Sequence, residues 1–156
     1  KNNTMKKILL ILLTTLSLNL YGQSVLDMMV FDRINDYRVE NSLKPFIFDT
    51  LVWKAANHHS IYLAENKYLS HYEDVLKMPS DRLRSVGITI TKCAGENVNA
   101  FPLDGESDEY LSLIIFTLWV RSPIHNELLL KDTPKYGAVS SYTISDVLYS
   151  TLNVYR

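Results

Sequence analysis

The sequence predicts an α+β sandwich built as one domain, and three observations carry that prediction. From Val25 to about Leu130 the apolar residues recur mainly at intervals of three and four, the spacing of amphipathic helices. The last stretch, Tyr136 to Tyr142 and Val147 to Tyr155, turns to β-rich runs split by Ser145-Asp146, which reads as a closing hairpin. A chain of 156 residues, 47% hydrophobic and 21% charged with only five Gly and five Pro, is long enough for one core and contains no repeat or low-complexity tract.

The N-terminus reads as an address label outside the fold. Met5-Lys6-Lys7 forms a short positive region, and Ile8 to Leu20 forms an uncharged apolar run of 13 residues, short of the roughly 20 that span a bilayer. Residues 1–22 are therefore expected to be a signal peptide, with 1–4 as upstream read-through before an initiator Met5, and 25–156 the folded domain. No Cys follows the apolar run, so no lipid anchor is expected. Export implies an oxidising compartment, where Cys93, the single cysteine, has no partner within the chain. It is expected to be a buried small hydrophobe, with a Cys-His nucleophilic site beside Glu96 and His71 as the sharper alternative.

Met28, Phe31, Ile34, Tyr37 and Arg38 lie at helical spacing and stop at Asn41-Ser42, so Val25 to Glu40 is predicted as the first helix. Leu43-Lys44-Pro45-Phe46 is a turn carrying apolar anchors. Asp49 is positioned to cap a second helix whose face includes Leu51, Ala55, His58 or His59, and Tyr62, ending near Asn66-Lys67. Pro79 to Arg84 predicts a short helix, capped by Ser80 and stopped by Gly87. Ile88 to Thr91 alternates and is β-branched, a short strand or extended segment leading into Cys93 to Val98. Ser107 to Val120 is apolar on most sides and is expected to be a central, buried helix. Ser122-Pro123 then breaks the chain, with Ser122 as cap and Pro123 opening a helix through Leu130.

Charge narrows the function classes. Without residues 1–22 the chain holds 13 basic and 17 acidic side chains, a net −4, and no basic stripe, which excludes a nucleic-acid partner. No nucleophile elbow, His-Glu-x-x-His helix or phosphate loop is present. What remains is a set of polar stretches far apart in sequence: Ser70-His71, Gly95-Glu96-Asn97 and Trp119 to Asn126. Two imidazoles and a carboxylate from these could line one cleft. Such donors suit zinc with an open position for water, or, without metal, an imidazole acting as general base beside a carboxylate.

Read in order, Ile34-Asn35-Asp36-Tyr37-Arg38, Leu43-Lys44-Pro45, Ala55-Ala56 with His59-Ser60, Ser70-His71, Asp81-Arg82-Leu83, Gly95-Glu96-Asn97, Trp119, Ser122-Pro123-Ile124-His125-Asn126 and Tyr136-Gly137 resemble the CAP superfamily. This is the family of cysteine-rich secretory proteins, venom antigens and plant pathogenesis-related proteins, here in its short bacterial secreted form. The resemblance covers about residues 28 to 156. It implies a three-layer α-β-α sandwich with a central antiparallel sheet, and a secreted, extracellular or periplasmic protein. Many relatives carry a cleft tetrad of two His and two Glu that binds a divalent metal such as zinc. His71 matches the first His and Glu96 the first Glu. Ser122 stands at the position of the second Glu, and His125, in the bacterial Ser-Pro-x-His pattern, is proposed as the second His. The implied cleft is His71, Glu96, Ser122 and His125, with His71, His125 and Glu96 as the metal set.

Each residue also has a plainer reading. His71 could cap a helix end, Glu96 could bond loop amides, and His125 could bond backbone. His58 and His59, about 100° apart on one helix, are expected to be structural or surface residues, and Trp119 a core anchor. Three functions stay open: a binding protein for a metal, a polar ligand or an extracellular partner, with lipid or sterol included; a metal- or His-dependent hydrolase; and an interaction module with a vestigial cleft.

Overall fold

The computed structural model describes residues 23–90 and 94–156; the expected signal peptide and Cys93 lie outside the described residues. Five helices and four strands are described: α1 Val25–Glu40, β1 Ile47–Phe48, α2 Thr50–Asn66, α3 Pro79–Ser85, β2 Ala94–Pro102, α4 Asp108–Arg121, α5 Pro123–Leu129, β3 Tyr136–Ile144 and β4 Val147–Tyr155. The strands form one sheet in the order β1-β3-β4-β2. The three long strands are antiparallel, with Glu96 opposite Asn153 and Val139 opposite Leu152. The sheet is nonetheless mixed rather than wholly antiparallel, because the two-residue β1 pairs in parallel with Tyr136 and Gly137.

Alternation along the strands sends side chains to two helical layers. Val139, Leu148, Leu152 and Val154 pack with Val30, Phe31 and Ile34 of α1, Leu111, Ile115 and Trp119 of α4, and Leu129 of α5. On the other face Ala138 packs with Val52, Trp53 and Ala55 of α2 and Leu83 of α3, while Val98 and Tyr149 meet Leu63 and Ala64. The Ser60 hydroxyl of α2 sits 2.9 Å from both the Ser140 carbonyl and the Thr151 hydroxyl, tying that helix to the sheet.

Local chemistry sets the ends of the elements. Ser24 and Asp27 form a reciprocal capping box at the start of α1, and Asp49 caps α2 through Leu51 and Val52. The Tyr155 hydroxyl donates to the other Asp49 oxygen at 2.9 Å. Lys67 ends α2 in the left-handed conformation, and Ser145 and Asp146 both take positive φ, as the two-residue hairpin turn demands.

Four expectations need correction. Asp81 rather than Ser80 closes the start of α3, its carboxylate accepting from the Met78 amide at 3.0 Å. Of the two readings of Ile88 to Thr91, the strand falls for residues 88–90, which are a non-strand segment whose Ile88 fills the core under α2 and α3; the described strand begins at Ala94. Helix α4 is an outer-layer helix, burying only the stripe Leu111, Ser112, Ile115 and Trp119 and exposing Tyr110, Leu113 and Leu118. Ser122 makes no side-chain cap to α5.

Asp27 has a cost hidden in its capping role. Its carboxyl is buried, and Oδ1 has no hydrogen bond of good geometry, nor does the neighbouring Trp53 Nε1. Burial pushes its pKa up to about 6 against the partial relief given by Ser141, Ser24 and Trp53. The folded state therefore holds this proton more tightly than the unfolded chain. The stability it contributes is complete below about pH 4 and is lost as pH rises through about 6. Asp27→Asn is expected to raise stability at pH 7.5 by about 2 kcal/mol and to leave it nearly unchanged at pH 4; urea unfolding at the two pH values measures this, and equal effects at both would contradict it.

Candidate functional site

Glu96 lies in β2, an outer strand of the sheet, and its side chain points to the α2 face beside Asn153 of β4. There it meets charged groups from three other segments: His59 from α2, His71 and Glu73 from the loop after α2, and Arg82 from α3. Arg82 and His59 are fully buried, and the Glu73 and Glu96 side chains nearly so. One Arg82 nitrogen donates to Glu96 Oε2 at 2.5 Å and to the His71 carbonyl at 3.1 Å. The other lies 3.4 Å from Glu73 Oε1 and donates to the Leu76 carbonyl at 3.1 Å. A single guanidinium thus bridges two carboxylates and pins the loop carrying His71.

His59 completes the balance. Its Nδ1 is 2.7 Å from Glu73 Oε1 and its Nε2 2.9 Å from the Ser70 carbonyl. A carbonyl only accepts, and so does an ionised carboxylate. Glu73 is ionised: burial alone would raise its pKa, but the bonds from His59, Arg82 and His58 hold it below the usual value. Both ring nitrogens of His59 must then donate, which makes it an imidazolium. His58, its exposed neighbour, reaches the second Glu73 oxygen at 2.9 Å. Two histidines about 100° apart on the helix share one carboxylate because its two oxygens diverge.

The outward side of this network is a cleft of about 270 Å³ lined by His71, Glu96, Asn97, His125, Glu127 and Leu128 among others. His71 Nδ1 donates to Glu96 Oε1 at 2.9 Å, so Nε2 is the ring nitrogen not engaged by that carboxylate. The His71 side chain is half-exposed. His125 arrives from the opposite layer, on the first turn of α5. That helix lies so close to β2 that a Cβ at Gly95 would stand 2.4 Å from Leu128 Cδ1, and Asn97 Nδ2 holds the His125 carbonyl at 2.9 Å. Burial first, and the nearby His71 second, lower the His125 pKa. The His125 imidazole therefore favours the neutral form at neutral pH.

The predicted residues are mostly brought together. His71, Glu96 and His125 line one cleft; Ser122 sits at the α4–α5 joint and is not among its lining residues. His71 caps no helix, Glu96 bonds side chains rather than loop amides, and Trp119 is a fully buried core residue. The reading of His59 as merely structural or surface misses its place in the charged network. Glu73 and Arg82 were also missed as site residues, although Arg82 stands in the quoted Asp81-Arg82-Leu83 motif. Among the described residues no group of three His, Cys, Asp or Glu is arranged to hold a metal ion. Glu96 explains this chemically, since one of its oxygens is taken by Arg82 and the other by His71.

No family profile matches the sequence, and no curated protein matches it. Solved structures do match the fold. An extracellular protein containing an SCP domain from Bacillus anthracis superposes with a TM-score of 0.67 at 23% identity over 84% of this chain and 40% of its own, so the chain spans two fifths of that protein. An outer surface protein of Borrelia burgdorferi gives a TM-score of 0.72 at 18% identity over 86% of this chain and 96% of its own. NaASP2, solved with Zn2+, gives 0.60 at 12% identity over 86% and 81%. The fold is that of SCP, or CAP, domains.

Two outcomes follow from the geometry. Glu96→Gln leaves the buried Arg82 without its closest counter-charge and is expected to cost about 3–5 kcal/mol, whereas Glu96→Gln combined with Arg82→Met should cost distinctly less than the sum of the two single changes; additive losses in thermal or urea melts would show that the pair does not interact. The His125 imidazole is expected to titrate below its ordinary value of about 6.5, with its contribution to stability lost as pH falls through that depressed value. In His71→Ala the midpoint should move upward, because one source of repulsion is gone; NMR titration of the ring protons reads both midpoints, and an unmoved His125 would refute the coupling.

Proposed function

We propose that the chain is an exported binding module, and that its cleft takes a polar ligand or a divalent cation at the imidazoles of His71 and His125, holding that group without turning it over. One observation carries the reading. A buried, charge-balanced network, which costs desolvation to assemble, fixes the orientation of the half-exposed His71 through the 2.9 Å bond that His71 Nδ1 donates to Glu96. Orienting an imidazole through a carboxylate in this way prepares the opposite ring nitrogen for a partner.

The donors fit zinc in part. His71 and His125 supply two of its four positions, and Glu96, committed to Arg82, does not supply a third. Such a site would hold the ion with water or a ligand group completing the shell, weakly compared with a closed structural centre. The same commitment weighs against Glu96 as a general base, since its proton affinity is spent on a guanidinium. No hydroxyl or thiol among the described residues is hydrogen-bonded to His71 in the manner of an activated nucleophile.

Export is supported by the positive, then apolar, character of residues 5–20 and by fold neighbours described as extracellular or outer-surface proteins. No helix among the described residues is long and apolar enough to cross a membrane.

Calorimetric titration of the metal-free chain with zinc at pH 7.5 is expected to show one site of roughly micromolar or weaker affinity, abolished in His71→Ala and in His125→Ala. Affinity should fall as the pH is lowered and the imidazoles protonate. Tight binding that survives both substitutions would place the metal elsewhere. Turnover of a peptide or ester library that both substitutions abolish would overturn the reading of the cleft as non-catalytic.

A further inference from the structure

Helix α4 carries two rows of side chains suited to packing. One, Leu111, Ser112, Ile115 and Trp119, is its buried stripe. The other points away from the domain: Tyr110, Leu113 and Leu118 are 54%, 44% and 42% exposed, Ile114 and Thr117 lie half-buried among them, and exposed Arg121 ends the row. We propose that this outer row is an interface for a second copy of the chain, the two α4 helices packing antiparallel about a two-fold axis.

Spacing makes the row one face. At about 100° per residue, positions 110, 113, 114, 117, 118 and 121 fall within about 140° of the helix circumference, on the side away from the buried stripe. A surface helix ordinarily turns charged and polar residues that way. Here Tyr, Leu, Ile and Leu hold most of the face, and intervals of three and four are those of a row that fits the grooves of another helix. The same excess of apolar residues is what makes α4 read as buried on most sides.

The order of the row specifies the occupant. Reversed end to end, it maps 110 onto 121, 113 onto 118 and 114 onto 117, so an antiparallel copy meets it in register. A two-fold interface requires this self-complementarity, residue i on j and j on i. Leu113 then faces the partner's Leu118, and Ile114 the partner's Thr117. Charge agrees. Helix α4 begins with Asp108 and Glu109 and ends with Arg121, so the antiparallel pairing sets each Arg121 over the partner's Tyr110 ring and beside the acidic first turn of the partner helix. A parallel pairing would set Arg121 against its own copy. One helix face falls short of the roughly 800 Å² per partner of a stable complex, so the dimer is weak, with a dissociation constant on the order of 100 μM. Neither His71 nor His125 takes part, so this interface stands or falls separately from the cleft reading.

Sedimentation equilibrium of the purified chain, over concentrations spanning that value, tests the interface. A reversible monomer–dimer equilibrium is expected. Leu113→Lys and Leu118→Glu, both at exposed positions, should each weaken it by about tenfold while leaving the thermal midpoint near its original value. Combined in one chain, they should associate more tightly than either alone, because each introduced cation then meets an introduced anion across the two-fold axis. Met28→Glu, at an exposed apolar site on α1, should leave the equilibrium unchanged. A chain that stays monomeric, association insensitive to the α4 substitutions, a double variant weaker than both single ones, or association lost through Met28→Glu would each overturn the proposal.

Discussion

The buried guanidinium of Arg82 is the interaction on which the rest of the site depends. Glu73 and Glu96 come from a loop and a strand that have no other reason to approach, and two carboxylates brought together out of water would repel. Arg82 between them, with the His59 imidazolium beside both carboxylates, closes the local sum to zero. The same guanidinium also donates to the carbonyls of His71 and Leu76, so the loop that follows α2 is held by the network it helps to enclose. A buried network of this kind gives less stability than apolar packing of the same volume would. What it gives instead is position, in this case the position of one imidazole at the surface.

The second contributor, His125, is positioned by a different kind of force. Close packing does it: Gly95 lets α5 approach the β2 backbone, and Leu128 occupies the space a side chain would need. The cleft thus straddles an outer strand of the sheet, with Glu96 reaching it from one face and His125 from the other. Electrostatics sets one wall and van der Waals contact the other. The two walls should therefore respond differently to salt and to volume changes, because screening acts on charges and leaves packing untouched.

Much of this was legible in the residues. Helical spacing from Met28 to Arg38, the Asp49 cap and the Ser145-Asp146 break placed α1, α2 and the closing hairpin, because each is decided locally. The order of short motifs picked out His71, Glu96 and His125 as neighbours in space. Other features depend on tertiary context. Helix α4 reads as buried on most sides, yet Leu113 and Leu118 face solvent, since an outer layer has only one sheet to cover. Glu73 carries no local signal: Tyr72-Glu73-Asp74 looks like any polar loop, and only the placement of Arg82 and His59 makes it a buried anion. His59 was set aside because adjacent helical positions diverge, a sound rule for shared faces that fails when one carboxylate offers two diverging oxygens.

The topology also bears on when the fold can form. Strand β4 sits between β2 and β3 and is the partner of both along their length, and it follows every other described element in sequence. Before it is made, the apolar faces of α1 and α2 have no sheet to cover them, Glu96 lacks the strand that positions it, and Asp49 lacks the hydroxyl of Tyr155. A nascent chain leaving the ribosome, or one threading a pore from its N-terminus, would thus remain without its core until the final hairpin emerged and then condense in one late step.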